Sequence, residues 1–312
     1  MDNRKNAHLI FHGFAPRLAI MKKSLFLAFV LTAHAALADT SSIVESGTEV
    51  KRLATGMKFT EGPVWIPAEN KVIFSDIPNS MLMQWSEKDG LKPFRKVEQA
   101  NGNLLDAKGL LLSCQHAGRN VIRTEADGSI TVLADKYEGK KFNSPNDLAV
   151  HSDGSIWFTD PSYGLRGKKG EINGKWVFRL DPKTKNVDVI YQDFDMPNGI
   201  AFSPDEQHVY IADSGRVGKI RAFKVDGKTI DKKPVFELDI RCDGMCLDTE
   251  GNIYTTAAGG IHIFDKTGKK IGLIEVPEKP ANVCFGGKDF DTLYITARKS
   301  LYSVKTKKKG AQ

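Results

Sequence analysis

The sequence predicts an all-β fold, a six-bladed β-propeller made of four-stranded blades. A unit of about 40 to 50 residues recurs along the chain, a period typical of propeller blades. Each unit contains short apolar strands separated by tight-turn pairs such as Asp153-Gly154 and Gly251-Asn252. No long segment after residue 38 has the 3.6-residue apolar period of a helix. A β-sandwich would also have evenly spaced strands, but it would not explain the self-similarity.

The repeat is clearest at Ser144–Asp160, where an Asn precedes two short strands around a turn. Pro197–Asp213 and Cys242–Thr256 repeat the pattern. When the units are aligned, their first polar positions all carry a carboxyl or amide group. These positions are Glu61, Asn101, Asn146, Asn198, Asp243 and Asn282.

The two ends of the propeller are predicted to pair with each other. The last unit lacks an outer strand after Leu301–Val304, and a strand-like segment precedes Glu61. Adding that segment to the last sheet would close the ring and cover an exposed strand edge.

Residues 1–38 are predicted to be an upstream extension followed by a secretory signal peptide, and residues 39–312 the propeller domain. Met21-Lys22-Lys23 precedes a short apolar run, Leu25–Leu31, and the small residues Ala36-Leu37-Ala38. The apolar run is too short to span a bilayer, which needs about 20 residues. We therefore expect export to the periplasm or beyond, with Met21 as the true start and no stable membrane anchor. Lys305–Lys309 is expected to be a short, solvated basic tail.

Charge and composition limit the classes of ligand that we expect the protein to bind. The formal net charge is +7, but part of it lies in the leader and the tail, and the chain has no nucleic-acid-binding motif. We expect a monomer that binds a small molecule and no nucleic acid. Cys114, Cys246 and Cys284 fall in apolar strand patterns and are expected to be buried. The Cys242–Cys246 spacing resembles half of a zinc site, yet the other half is absent from the sequence.

The repeat predicts a metal site on the propeller axis. The first strand of each blade lines the central channel, so the six aligned polar side chains should face one another. Two carboxylates and several amide oxygens suit one hard divalent cation, Ca²⁺ first, with Mn²⁺, Mg²⁺ or Zn²⁺ as alternatives. The second strand of each blade returns to the same face, and its end is expected to form a polar rim. The rim positions are Asp76, Gln115, His116, Asp160, Asp213 and Arg298. Among them His116 is a candidate substrate contact or proton carrier.

Several motifs together resemble the family of senescence marker protein (regucalcin), gluconolactonase and luciferin-regenerating enzyme, and most of all its bacterial gluconolactonases. The motifs are Glu61–Trp65, Ser144–Asp147, Trp157–Pro161 with Tyr163-Gly164, Pro197–Gly199 and Asp243–Met245. The resemblance implies a six-bladed propeller whose single ion is held by Glu61, Asn146, Asn198 and Asp243. Asn101 and Asn282 would then lie beside the ion. Gln115 departs from the family, in which an acidic residue is typical before His116.

The resemblance favours hydrolysis of a sugar lactone of the glucono-1,5-lactone type. The ion would polarise the lactone carbonyl, and Asp243 or His116 would be the general base. Asn101, Asp147 and His116 are the expected substrate contacts. Two alternatives remain open, another ester or phosphotriester hydrolase on this scaffold and a propeller that binds a ligand without catalysis.

Overall fold

Six antiparallel sheets surround a central channel in the computed structural model, which describes residues 40–311. The innermost strands of consecutive sheets contact one another in cyclic order, and the last contacts the first. The six-bladed propeller predicted from the sequence is confirmed. The predicted leader, residues 1–38, lies outside the described residues. Within them, none of the helices is long and apolar enough to cross a membrane.

Each blade is built on four strands, and in blades 1 to 5 these follow one another in sequence from the axis outwards. Blade 1 contains β2 Thr60–Ile66, β3 Lys71–Asp76, β4 Met81–Ser86 and β5 Gly90–Lys96. Blade 2 contains β6 Ala100–Leu105, β7 Leu111–Gln115, β8 Asn120–Thr124 and β9 Ile130–Ala134. Blade 3 contains β12 Leu148–Val150, β13 Ile156–Asp160, β14 Trp176–Leu180 and β15 Val187–Tyr191.

Blade 4 contains β16 Pro197–Phe202, β17 His208–Asp213, β18 Lys219–Asp226 and β20 Phe236–Leu238, with the short β19 Thr229–Ile230 beside β18. Blade 5 contains β21 Met245–Leu247, β22 Ile253–Ala257, β23 Gly260–Phe264 and β24 Lys270–Glu275. A two-stranded hairpin, β10 Lys136–Tyr137 and β11 Lys140–Lys141, joins blades 2 and 3. The described helices are single 3-10 turns, η1 Pro67–Glu69, η2 Ile77–Asn79 and η3 Tyr163–Leu165.

Blade 6 contains both ends of the domain, as predicted. Its strands β25 Pro280–Gly286, β26 Thr292–Ala297 and β27 Ser300–Lys305 are completed by β1 Lys51–Thr55. β1 pairs antiparallel with β27, so that Thr55 faces Ser300. The pairing removes the free edge of β27 and closes the ring.

The apolar core lies between blades, where the faces of neighbouring sheets meet. Trp157, Phe158 and Phe178 are fully buried there, and the rings of Phe158 and Phe178 stack at 5.4 Å. Trp65, the last residue of the Glu61–Trp65 motif, is 8% exposed and stacks on Tyr294 at 5.2 Å. These aromatic faces give the sheets fixed angles around the channel, and thereby position the residues at its head.

The basic C-terminal segment is not a freely solvated tail. Lys307 N donates to Ile43 O, Gly310 N donates to Phe290 O, and Ala311 N donates to Leu247 O. The lysine side chains remain at the surface while the backbone crosses from blade 6 to blade 5. The prediction of a solvated tail is wrong because a run of lysines indicates only that the side chains are in water. It does not indicate which partners the backbone amides find.

Candidate active site

The six aligned polar residues meet at one end of the channel, at or just before the start of each innermost strand. Five of them are no more than 7% exposed, and Asp243 is partly exposed. Adjacent strands are joined directly here, since Gly102 N donates to Asn146 O and Gly199 N donates to Asp243 O, each at 2.8 Å. The axial convergence expected from the repeat is present in the structure.

Glycine follows the polar residue in four of the six blades because neighbouring backbones approach closely at the axis. A Cβ on Gly199 would lie 2.5 Å from Asp243 O, and one on Gly62, Gly102 or Gly244 would also overlap the next blade. In blade 3 the corresponding position is Asp147. Its carboxylate accepts from Leu148 N at 3.0 Å and from Asn282 Nδ2 at 3.2 Å. Asp147 therefore adds a third carboxylate to the axial cluster.

The amides of the axial asparagines are ordered by their neighbours. Asn198 Nδ2 donates to Asp243 Oδ1 at 2.7 Å. Asn101 Nδ2 and Asn146 Nδ2 lie 3.2 and 3.3 Å from His116 Nε2. His116, which follows β7, is thus in contact with two of the axial residues, and its Nε2 accepts from both if the ring proton is on Nδ1.

The carboxyl groups of Glu61, Asp147 and Asp243 lie so close together that they disfavour one another's ionisation. Burial raises the pKa of Glu61 well above its usual value, and the carboxylates of Asp243 and Asp147 raise it further. Burial likewise raises the pKa of Asp147 to about 7 and that of Asp243 to about 6. Burial lowers the pKa of His116 to about 4, and the Arg166 charge contributes, so the imidazole is neutral at neutral pH.

The donor set fits a hard divalent cation. Asn146 and Asn198 commit their amide nitrogens to His116 and Asp243, which leaves the amide oxygens as donors for an ion. Carboxylates from Glu61 and Asp243 and two amide oxygens are ligands of the kind that calcium takes. A dication would also relieve the repulsion among the buried carboxylates. Residues 40–311 contain no group of three or more His, Cys, Asp or Glu placed to hold a metal, so such a site depends on amide ligands.

Asn282 has a different environment from the predicted ligands. Its Oδ1 accepts from Val283 N at 2.8 Å, and its Nδ2 contacts Asp147. Both ends of the amide are therefore occupied by the protein. This places Asn282 beside the cluster as a support for Asp147.

The prediction of a polar rim is wrong for the acidic residues at the ends of the second strands. Asp76, Asp160 and Asp213 are 0–2% exposed and face inwards. Asp160 accepts from Asn143 N and Ser144 N, and Asp213 accepts from Asp195 N and Met196 N. Asp76 bonds Lys58 N and Phe59 N in the same manner, and Gln115 bonds Glu98 N. These side chains satisfy the amides of the segment entering each innermost strand, since buried donors require partners.

Tyr163 is a site residue that the sequence reasoning did not single out. It lies at the start of η3, where its hydroxyl is close to the side chains of Asn198 and Ser214. Burial raises its pKa to about 12, and the charge of Asp243 contributes. Its place in the Asp160-Pro161-Ser162-Tyr163-Gly164 run was the available signal.

A cavity of about 600 Å³ opens from the opposite face of the propeller. Its wall consists mainly of apolar side chains of the innermost strands, including Leu148, Ile200 and Phe285. Gly62, Asp147 and Asn282 line it as well, so the cavity extends from the opposite face to the axial cluster. We call it the lower cavity.

Comparison with known proteins identifies the family. Residues 59–299 match the model of the SMP-30/gluconolactonase/LRE-like region. This chain belongs to that family. The resemblance inferred from its motifs is thereby confirmed.

Individual relatives agree with this assignment. The chain is 32% identical to a gluconolactonase of Zymomonas mobilis over 86% of its own length and 84% of that protein. A solved gluconolactonase of Xanthomonas campestris is 30% identical over 86% of this chain and 93% of that one, with a TM-score of 0.80. A calcium-binding regucalcin of Agrobacterium tumefaciens shares the fold, at 21% identity over 85% of this chain and 98% of that one, with a TM-score of 0.69. The similarity to gluconolactonases supports an enzyme of the lactonase class, a carboxylic ester hydrolase.

Proposed function

We propose that this chain is a metal-dependent lactonase that opens a sugar lactone of the glucono-1,5-lactone type to the aldonic acid. Membership of the family and the similarity to gluconolactonases support the reaction class. The observation that carries the metal dependence is the convergence of Glu61, Asp243 and two ordered amides at the head of the channel.

Four residues would hold the ion, namely Glu61, Asn146, Asn198 and Asp243. Calcium is the first choice because all four donors are oxygens, two of them from neutral amides. When bound there, the cation would supply Lewis-acid stabilisation for the charge that develops on the lactone carbonyl oxygen.

The remaining residues bind and orient the lactone and its water. The proposed substrate contacts are Asn101 and Asp147 of the axial cluster and His116, which touches Asn101. Asp243 or His116 takes the proton from the attacking water. The amide contacts of Asn101 and Asn146 hold the imidazole of His116 towards the channel.

A pH-indicator assay with glucono-1,5-lactone tests the proposal, because ring opening releases an acid. We expect acid release that stops with a chelator and returns with Ca²⁺. Glu61→Gln should abolish it. Glu69→Gln is the matched control, since Glu69 follows the other end of β2 and its side chain is 59% exposed. Equal rates for Glu61→Gln and Glu69→Gln would refute the metal assignment, and absence of turnover in the calcium-loaded wild type would refute the lactonase.

We also propose that the protein is exported and acts as a monomer. The leader pattern Met21-Lys22-Lys23 and Leu25–Leu31 supports export. Cell fractionation with sequencing of the mature N-terminus tests export, and light scattering tests the oligomeric state. Retention of residues 21–38 in the purified protein would contradict cleavage.

A further inference from the structure

We propose that the end of the channel at which the axial residues meet, here called the mouth, selects lactones with a negatively charged substituent. This substituent is either a carboxylate or a phosphate ester. The inference rests on the proposed lactonase function and specifies its substrate class. It follows from a cluster of unpaired cations at the entrance, here called the basic loop and defined as Arg166, Lys168 and Lys169.

The basic loop connects β13 to β14 on the face where the axial residues meet. All three side chains are exposed, and none has an ion-pair partner among residues 40–311. The next acidic residue in the loop, Glu171, is paired with Arg119 at 3.0 Å. The loop therefore presents three positive charges that no protein carboxylate neutralises.

The beginning of this loop is fixed directly over His116. Gly164 N donates to Ser144 Oγ at 3.0 Å, and Ser144 Oγ donates to Pro161 O at 2.6 Å. A Cβ on Gly164 would lie 2.9 Å from His116 Cβ, so the loop backbone packs directly against His116. Arg166 follows two residues later and ends η3. Burial lowers the pKa of His116, and the positive charge of Arg166 lowers it further.

A fourth unpaired cation approaches from blade 6. Lys279 is exposed and lies on the segment that enters β25, one residue after Glu278, which is anchored to Tyr302 and Lys299 N. Lys279 therefore adds a fourth exposed positive charge on the face where the axial residues meet.

Acidic residues offset only part of the field on this face, where Glu98 and Asp193 are exposed and have no ion-pair partner among residues 40–311. Asp195 is paired with Lys175 and accepts from Arg216 N, and Glu278 is held by three hydrogen bonds in blade 6. Exposed cations around a cleft concentrate anionic ligands and can raise their association rates by about 10- to 1,000-fold. A neutral sugar lactone would gain little from such a field, whereas a lactone with a fixed negative charge would be drawn to the mouth.

The test compares lactones and product acids that differ in charge. The probes are glucono-1,5-lactone, its 6-phosphate and a lactone of glucaric acid, with gluconate, 6-phosphogluconate and glucarate for binding by calorimetry on the calcium-loaded protein. The variant is Arg166→Gln/Lys168→Gln/Lys169→Gln. The matched control is Lys183→Gln/Lys185→Gln/Lys228→Gln, which removes the same charge from exposed hairpin lysines on the opposite face.

We expect wild type to favour a charged lactone over the neutral one in kcat/KM, and the ratio to fall about tenfold or more in the basic-loop variant. The control should keep the wild-type ratio. Salt should weaken the preference, because exposed charges are screened over about 8–10 Å near physiological ionic strength. The phosphate and carboxylate arms show which anion the mouth takes.

The inference is overturned if the neutral lactone is opened but no dianionic acid binds more tightly than gluconate, or if the basic-loop variant and the control have the same charge preference. Failure of the lactonase itself would look different. Dianions would then bind in a manner that depends on Arg166, Lys168 and Lys169, while no lactone is opened.

Discussion

Asn198 and Asp243, which stand at the heads of adjacent innermost strands, are joined by a hydrogen bond of 2.7 Å from Nδ2 to Oδ1. The bond orients the amide of Asn198 so that its oxygen remains available as a metal ligand, and it occupies one oxygen of the Asp243 carboxylate. The two blades thereby present a carboxylate and an amide oxygen side by side without any rearrangement of either strand.

The first prediction concerns ion binding. Asp243→Asn should remove most of the thermal stabilisation by Ca²⁺, because the ion loses one of its two carboxylate ligands. In wild type a ligand at 100 times its Kd stabilises by about 2.7 kcal/mol, which appears as a rise in Tm. Scanning fluorimetry with and without Ca²⁺ measures the difference, with Asp239→Asn as an exposed control. A full calcium-dependent shift in Asp243→Asn would exclude this carboxylate as a ligand.

The second prediction concerns the close approach of blades 4 and 5. Gly199→Ala should destabilise the fold by about 1–3 kcal/mol, because its Cβ would lie 2.5 Å from Asp243 O. Gly109→Ala is the comparison, since nothing lies within 4 Å of its Cβ and only its φ of 76° is unfavourable. Urea unfolding gives both free energies. Additionally, Gly199→Ala should weaken Ca²⁺ binding and Gly109→Ala should not. Unaltered calcium binding in Gly199→Ala would contradict the tight packing at the axis.

The third prediction concerns the pH dependence of the stability that Glu278 contributes in blade 6. Glu278 accepts from Lys299 N, Ser300 Oγ and Tyr302 OH. Burial alone would raise its pKa, but these bonds lower it below the ordinary value. A depressed folded pKa stabilises the protein above the unfolded pKa of about 4.3, and this contribution is lost as the pH falls towards the folded pKa. Glu278→Gln should therefore cost about 1–2 kcal/mol at pH 7 and much less near pH 3. An equal cost at both pH values would show that the charge of Glu278 does not stabilise these contacts within blade 6.

The fourth prediction concerns the cysteines, which are all free thiols. Cys246 and Cys284 line the lower cavity and are partly exposed, whereas Cys114 and Cys242 are fully buried. Burial raises the pKa of each thiol, so the reaction with a disulfide reagent should be slow. We expect two thiols to react in the folded protein and four after denaturation. Four fast thiols in the native protein would contradict the packing of the innermost strands.

The sequence predicted the axial cluster because the repeat relates its residues by symmetry. Glu61 and Asn146 are placed by their alignment in the repeat, and no loop conformation intervenes. Asp160 and Asp213 follow the same repeat, but the direction in which each side chain turns at the strand end depends on which backbone amides lack partners. That information is tertiary, so these residues were misread as a rim. Tyr163 and Arg166 lie in a loop longer than its counterparts, where no internal symmetry fixes the backbone.

The C-terminal segment that crosses to blade 5 also determines how the protein can be attached to other objects. Ala311 lies at the lip of the lower cavity, and Lys307 binds the backbone beside Ile43. Both termini of the described domain therefore leave from the face opposite the basic loop. A bead, electrode or fusion partner linked after Ala311 would leave the entrance turned towards the solution, whereas a linker inserted between Lys168 and Gly170 would obstruct it.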